Sequence, residues 1–135
     1  MTGALVLLGV LALTAVLGVV HRSRDGAVRA RETTADLREL VPGEHGERAT
    51  LLQFSSAFCA PCRATKRVLA DVAAAVPGVT HLEVDAEAHL DLVRRLNILK
   101  TPTTLVLDEQ GREVLRAVGQ PKKQAVLAAL SAAVA

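Results

Sequence analysis

Thr50-Leu51-Leu52-Gln53-Phe54-Ser55-Ser56-Ala57-Phe58-Cys59-Ala60-Pro61-Cys62-Arg63 is the stretch on which the fold turns. Its first five residues read as a buried strand, closed by Ser55 and Ser56. A helix begins at the cysteines. Val68, Leu69, Val72 and Val76 recur at helical spacing, and Arg63, Lys66, Arg67 and Asp71 take the opposite face. The strand therefore runs into a helix through a turn that carries both cysteines of the 135-residue chain. Two thiols at i and i+3, separated by Ala60 and Pro61, close and reopen a disulfide without large backbone movement. A structural staple is the weaker reading, because so short a loop constrains little of the unfolded chain. A zinc site needs two more ligands, and His21, His45, His81 and His89 form no second pair at finger spacing.

Outward from this turn, Pro77-Gly78 ends the helix and Val79 to Val84 reads as a second strand running into Asp85. Residues 86–96 read as helix, with Leu92 and Leu96 four apart. Thr103 to Leu107 is a third strand, Asp108-Glu109-Gln110-Gly111 a hairpin turn, and Glu113 to Val118 the return strand. Gly119-Gln120-Pro121 is expected to open a last helix with proline at its first position. Val126, Leu127, Leu130 and Val134 are expected to form its buried face. Strands alternating with helices, then a hairpin, imply an α/β domain over residues 47–135, with a mixed central sheet and helices on both faces.

Residues 22–46 are polar and charged and read as a linker. Within it, Ala27 to Arg31 suggests a short extended piece. Thr33-x-x-Asp36 suggests a cap for a short helix through Leu37, Leu40 and Val41, ended by Pro42-Gly43. Residues 1–21 differ in kind. Gly3 to Val20 holds no charge and only Thr14 as a polar side chain. As a helix it spans roughly 27 Å, enough for a bilayer core. Met1-Thr2 before it and His21-Arg22-Ser23-Arg24 after it do not resemble a cleaved leader, so the run is expected to be a single transmembrane anchor, with residues 3–20 in the membrane. Arg22, Arg24, Arg29, Arg31 and Arg38 follow it, and no basic residue precedes it. The positive-inside rule then favours the cytoplasmic face for the following domain, with the extracytoplasmic face as the alternative. A net charge of +2 and two aromatic residues, Phe54 and Phe58, give no platform for nucleic acid, and none is expected as a partner.

The chemistry of the turn follows from its position. Cys59 lies where unpaired amides and the helix dipole favour a negative sulfur, and Cys62 lies one turn deeper. Arg63 and Lys66 add positive charge, and Phe58 supplies an apolar wall. The segment 51–63 resembles the active-site stretch of the thioredoxin family. Val84-Asp85 resembles the next strand end, and Leu96-Asn97-Ile98-Leu99-Lys100-Thr101-Pro102-Thr103 the family's cis-proline loop. Asp108 to Glu113 and Val118-Gly119 resemble its last hairpin.

That resemblance implies a thioredoxin-like fold in which Cys59 is the nucleophile and Cys62 the resolving thiol. Pro102 would be cis, and Thr101 would offer its backbone to an extended substrate. Phe58, Ala60, Pro61 and Gly119 would complete the substrate-binding surface. The chain departs from the family at the usual tryptophan, here Phe58, and at the usual Gly-Pro, here Ala60-Pro61. The family's buried acid aligns with Gln53 and its lysine companion with His81. Proton handling is therefore expected to involve His81 or water, because an amide takes no proton from a thiol. Together these readings imply a membrane-anchored thiol–disulfide oxidoreductase. Its expected partners are protein disulfides and an upstream thiol electron donor, and it needs no cofactor or metal beyond its own Cys59–Cys62 disulfide. The alternatives are an extracytoplasmic reductase for secreted or cytochrome-maturation substrates, and a non-catalytic binding module of the same fold.

Overall fold

A computed structural model describes residues 1–134. Helix α1 (Thr2–Arg24) is long and apolar enough to cross a membrane and buries none of its residues in the rest of the chain. Strand β1 (Val28–Ala30) follows, then β2 (Ala49–Ser55), α2 (Ala60–Ala75), β3 (Val79–Asp85), α3 (Leu90–Arg95), β4 (Thr103–Leu107), β5 (Glu113–Val118) and α4 (Lys123–Ala133). The sheet order is β1-β5-β4-β2-β3. β2 and β3 pair in parallel, and the other neighbours are antiparallel.

Every residue of β2 is buried, because layers cover both faces of this central strand. Leu51 points to one layer with Val106 of β4, Leu69 and Val72 of α2, and Val126 and Leu130 of α4. Leu52 and Phe54 point to the other, with Leu105, Leu107, Val84 and Ile98, and with Leu92 of α3. A one-residue slip of β2 would exchange these two sets, so the register is pinned by packing on both sides.

Four expectations change. The stretch 22–46 does not behave as a free linker. β1 pairs with β5 at the sheet edge, and Leu37 and Val41 are buried in the second layer. Of the one or two helical turns expected through 37–41 a single turn forms, but without the expected cap. Asp36 accepts from the Arg38 backbone and side chain instead of capping a helix, while Leu37 N–H donates to Gly111 O. The helix expected over 86–96 shortens to α3, because Asp85 captures the backbone ahead of it. Its carboxylate accepts from Glu87 N at 2.9 Å and its carbonyl from Ala88 N at 3.2 Å. Pro121 is not the first helical residue. α4 starts only at Lys123, after Lys122 as its cap.

A buried ion pair underlies the β5 edge. The carboxylate of Glu113 accepts from the Arg116 guanidinium through both oxygens, and both side chains are almost wholly buried. Arg116 also donates to the carbonyl of Asn97 at 3.3 Å, which ties β5 to the end of α3.

Candidate active site

The strand-to-helix turn places the cysteines at the N-terminus of α2. Phe58 adopts a left-handed conformation, φ 56°, which turns the chain sharply and leaves its ring fully exposed. Cys59 is the N-cap of α2, and its Sγ accepts from the Cys62 backbone N–H at 3.2 Å. Ala60 and Pro61 form the exposed first turn, where a proline forfeits no helical hydrogen bond. Cys59 and Cys62 are joined as a disulfide with Cα atoms 5.2 Å apart. Cys59 is half-exposed and Cys62 only 3% exposed, so the two sulfurs differ in access.

The loop before β4 is tied to the segment that leads into them. The Thr101–Pro102 bond is cis, and Pro102 is buried. Thr101 Oγ1 lies 2.8 Å from Ser56 Oγ, which joins this loop to the one leading into the cysteines. Gly119 donates its N–H to the Pro102 carbonyl at 2.8 Å. Phe58, Cys59, Thr101, Pro102 and Gly119 are therefore carried by three loops at one end of the sheet.

Beneath the disulfide, Gln53 is wholly buried and every polar atom of its amide is engaged. Nε2 donates to Ser55 Oγ and to the Cys62 carbonyl, both at 2.9 Å. Oε1 lies 3.0 Å from His81 Nε2, which fits a histidine carrying its proton on that nitrogen. Ser55 Oγ in turn donates to Glu83 at 3.3 Å, and Glu83 pairs with Lys66. Burial holds the His81 pKa below its usual value, against the opposing pull of Glu83, and Lys66 lowers it further. The polar chain thus runs from the Cys62 backbone through Gln53 to a histidine on one branch and a carboxylate on the other.

Sequence reasoning named Gln53 and His81 from their alignment with an acid–lysine pair, and the two side chains do meet. It missed Ser56, Glu83 and Asp25. Ser56 and Glu83 reach the site only through side-chain contacts that have no sequence signature. Asp25 lies far ahead of the cysteines, yet it bridges to Lys100 at 2.8 Å, beside Thr101. The hydrogen bond from Lys100 holds the Asp25 carboxyl below the usual range.

The family of thioredoxin-like domains matches residues 40–133. A thioredoxin of Chlamydia trachomatis is 33% identical over 81 residues, 60% of this chain and 78% of that protein. A thioredoxin of Alicyclobacillus acidocaldarius is 33% identical over 94 residues, 68% of this chain and 86% of that protein. Among solved structures, thioredoxin f from spinach chloroplast superposes with a TM-score of 0.59 at 26% identity, over 67% of this chain and 80% of that one. A mutant thioredoxin from Halobacterium salinarum superposes with a TM-score of 0.60 at 18% identity, over 66% of this chain and 77% of that one, and supports the fold alone.

Proposed function

Because the chain belongs to the family of thioredoxin-like domains and is a thiol–disulfide oxidoreductase built on the Cys59–Cys62 pair, we propose a division of labour within that pair: Cys59 attacks and Cys62 resolves. The difference in access carries this reading. In the dithiol state, the Cys59 thiolate attacks one sulfur of a protein disulfide, and the other substrate sulfur leaves as a thiolate. Cys62, deprotonated in its turn, attacks Cys59 Sγ and expels the second substrate thiolate. Two electrons pass to the substrate, solvent protonates the released thiolates, and the Cys59–Cys62 disulfide remains. A thiol donor returns the pair to the dithiol.

The helix start assists the first step. The α2 amides and dipole favour negative charge on Cys59 Sγ, and the N–H of Cys62 already points at it. An extended substrate would pair with the backbone of Thr101 beside Pro102 and Gly119, against Phe58, Ala60 and Pro61. His81 and water are the candidates for taking up the Cys62 proton; His81 would do so through its Nδ1, because its Nε2 donates to Gln53 Oε1.

The second part of the proposal concerns place. α1 is apolar, unburied and of bilayer length, which supports a single-pass anchor. Arg22, Arg24, Arg29, Arg31 and Arg38 on its C-terminal flank support a cytoplasmic domain. Turnover of a model protein disulfide such as insulin tests the redox assignment. The reduced chain should cleave it, and Cys59→Ser should abolish cleavage; undiminished activity in that variant would overturn the assignment.

A further inference from the structure

The anchor helix does not trail into free chain. α1 ends at Arg24, and within two residues the backbone is fastened to the loops around the disulfide. Gly26 N–H donates to the Val118 carbonyl at 2.7 Å. The Asp25 carboxylate accepts from Lys100 Nζ at 2.8 Å. It also presses on Gly119, where a Cβ would fall 2.0 Å from Asp25 Oδ1. Gly119 is itself bonded to Pro102, and Lys100 immediately precedes Thr101. From the Asp25 carboxylate to the Pro102 carbonyl the path is two non-bonded contacts and one stretch of backbone, on the order of 10 Å.

Charge on the same side fits a bilayer surface. His21, Arg24, Arg29, Arg31 and Lys100 line a cavity of about 400 Å³ between the helix end and β5. Arg24, Arg29 and Arg31 make no ion pair among the described residues. With residues 3–20 filling the hydrocarbon layer, His21 to Arg24 lie at headgroup depth, where anionic lipid attracts such cations. Leu99, 86% exposed, stands on the loop next to Lys100.

We infer that the substrate groove is held at the membrane surface, and that this oxidoreductase takes disulfides lying within a few residues of the bilayer in other membrane proteins. The inference rests on the proposed anchoring of α1. A long flexible linker would let the domain sample distant substrates, whereas here Asp25 and Gly26 leave no slack.

The test uses the full chain, pre-reduced, in phosphatidylcholine–phosphatidylglycerol vesicles. Peptide disulfides are coupled to lipid through Gly-Ser spacers of about 4 or about 30 residues, which reach roughly 11 Å and 30 Å. The released peptide thiols are counted by mass spectrometry in single turnover. The short-tethered peptide should be reduced at least as fast as the long-tethered one. A slower short-tethered peptide overturns the inference. Inserting about eight Gly-Ser residues between Arg24 and Asp25 frees the domain while keeping the Asp25–Lys100 contact. This should lower the short-to-long ratio and leave reduction of a soluble peptide unchanged; an unchanged ratio also overturns the inference. Flotation after an alkaline wash separates the premises. A chain washed off the vesicles sinks the anchor reading and this one with it, whereas a chain that floats but disfavours the short tether sinks only this one.

Discussion

At the scale of single residues, the chemistry turns on what lies beneath Cys62. Gln53 spends its amide on Ser55, Cys62 O and His81, and it has no basic site to offer a thiol. Resolution of the mixed disulfide near neutral pH should then be limited by loss of the Cys62 proton. Gln53→Asp should accelerate turnover severalfold near pH 7, with a diminishing advantage at higher pH, where the thiolate forms unaided. The substitution should also cost about 1–3 kcal/mol of stability, because it strands buried partners. A pH–rate profile of disulfide reduction checks this, and superimposable profiles would contradict it. His81 makes a separate expectation. Its folded pKa lies below the ordinary 6.5, so the unfolded chain takes up this proton first as pH falls. The native state therefore loses stability from about that pH down to the folded value and then levels off. Urea midpoints at pH 7.5 and 5.5 should fall less for His81→Asn than for the parent chain, and equal falls would contradict the shift.

At the scale of elements, the junction of α1 with the groove makes Gly119 a sensitive position. Its φ of +95° disfavours any side chain, and a Cβ there would collide with Asp25. Gly119→Ala should cost about 1–2 kcal/mol from the backbone alone and should also loosen the Asp25–Lys100 bridge. Denaturation should show an earlier midpoint, and an unchanged midpoint would contradict both the backbone penalty and the collision with Asp25. Legibility in the sequence also divides by element. β4 and β5 are readable to the residue because Thr101-Pro102 and the Asp108 to Gly111 turn punctuate them chemically. α3 is misread because the 86–96 pattern is apolar enough for a helix, while the Asp85 carboxylate and carbonyl claim the Glu87 and Ala88 amides, a competition that periodicity does not register. The cysteine turn is legible because strand, helix and thiol spacing agree. The Ser56–Thr101 and Ser55–Glu83 contacts are not, because they join residues far apart in the chain.

At the scale of the whole molecule, two buried layers and one buried ion pair hold the sheet. Glu113 reads in the sequence only as the start of a strand, yet it is the sole carboxylate paired with the buried Arg116 among the described residues. Glu113→Ala leaves that guanidinium without its counter-charge and should cost about 3–5 kcal/mol, measured by chemical denaturation. A cost near zero would mean that Arg116 escapes to solvent. The placement of the molecule is tested by alkaline phosphatase fused after the last residue. The arginine flank of α1 implies an inactive fusion, and strong phosphatase activity would move the domain to the extracytoplasmic face.

The most direct measurement bears on the cysteines themselves. Each single variant is expressed and its covalent adducts are resolved under non-reducing conditions. Cys62→Ser should accumulate mixed disulfides through Cys59, because the accessible thiol still attacks and nothing resolves the product. Cys59→Ser should accumulate few, because Cys62 is buried. Adducts that form mainly on Cys62 in the Cys59→Ser variant would contradict the assignment of attack to Cys59.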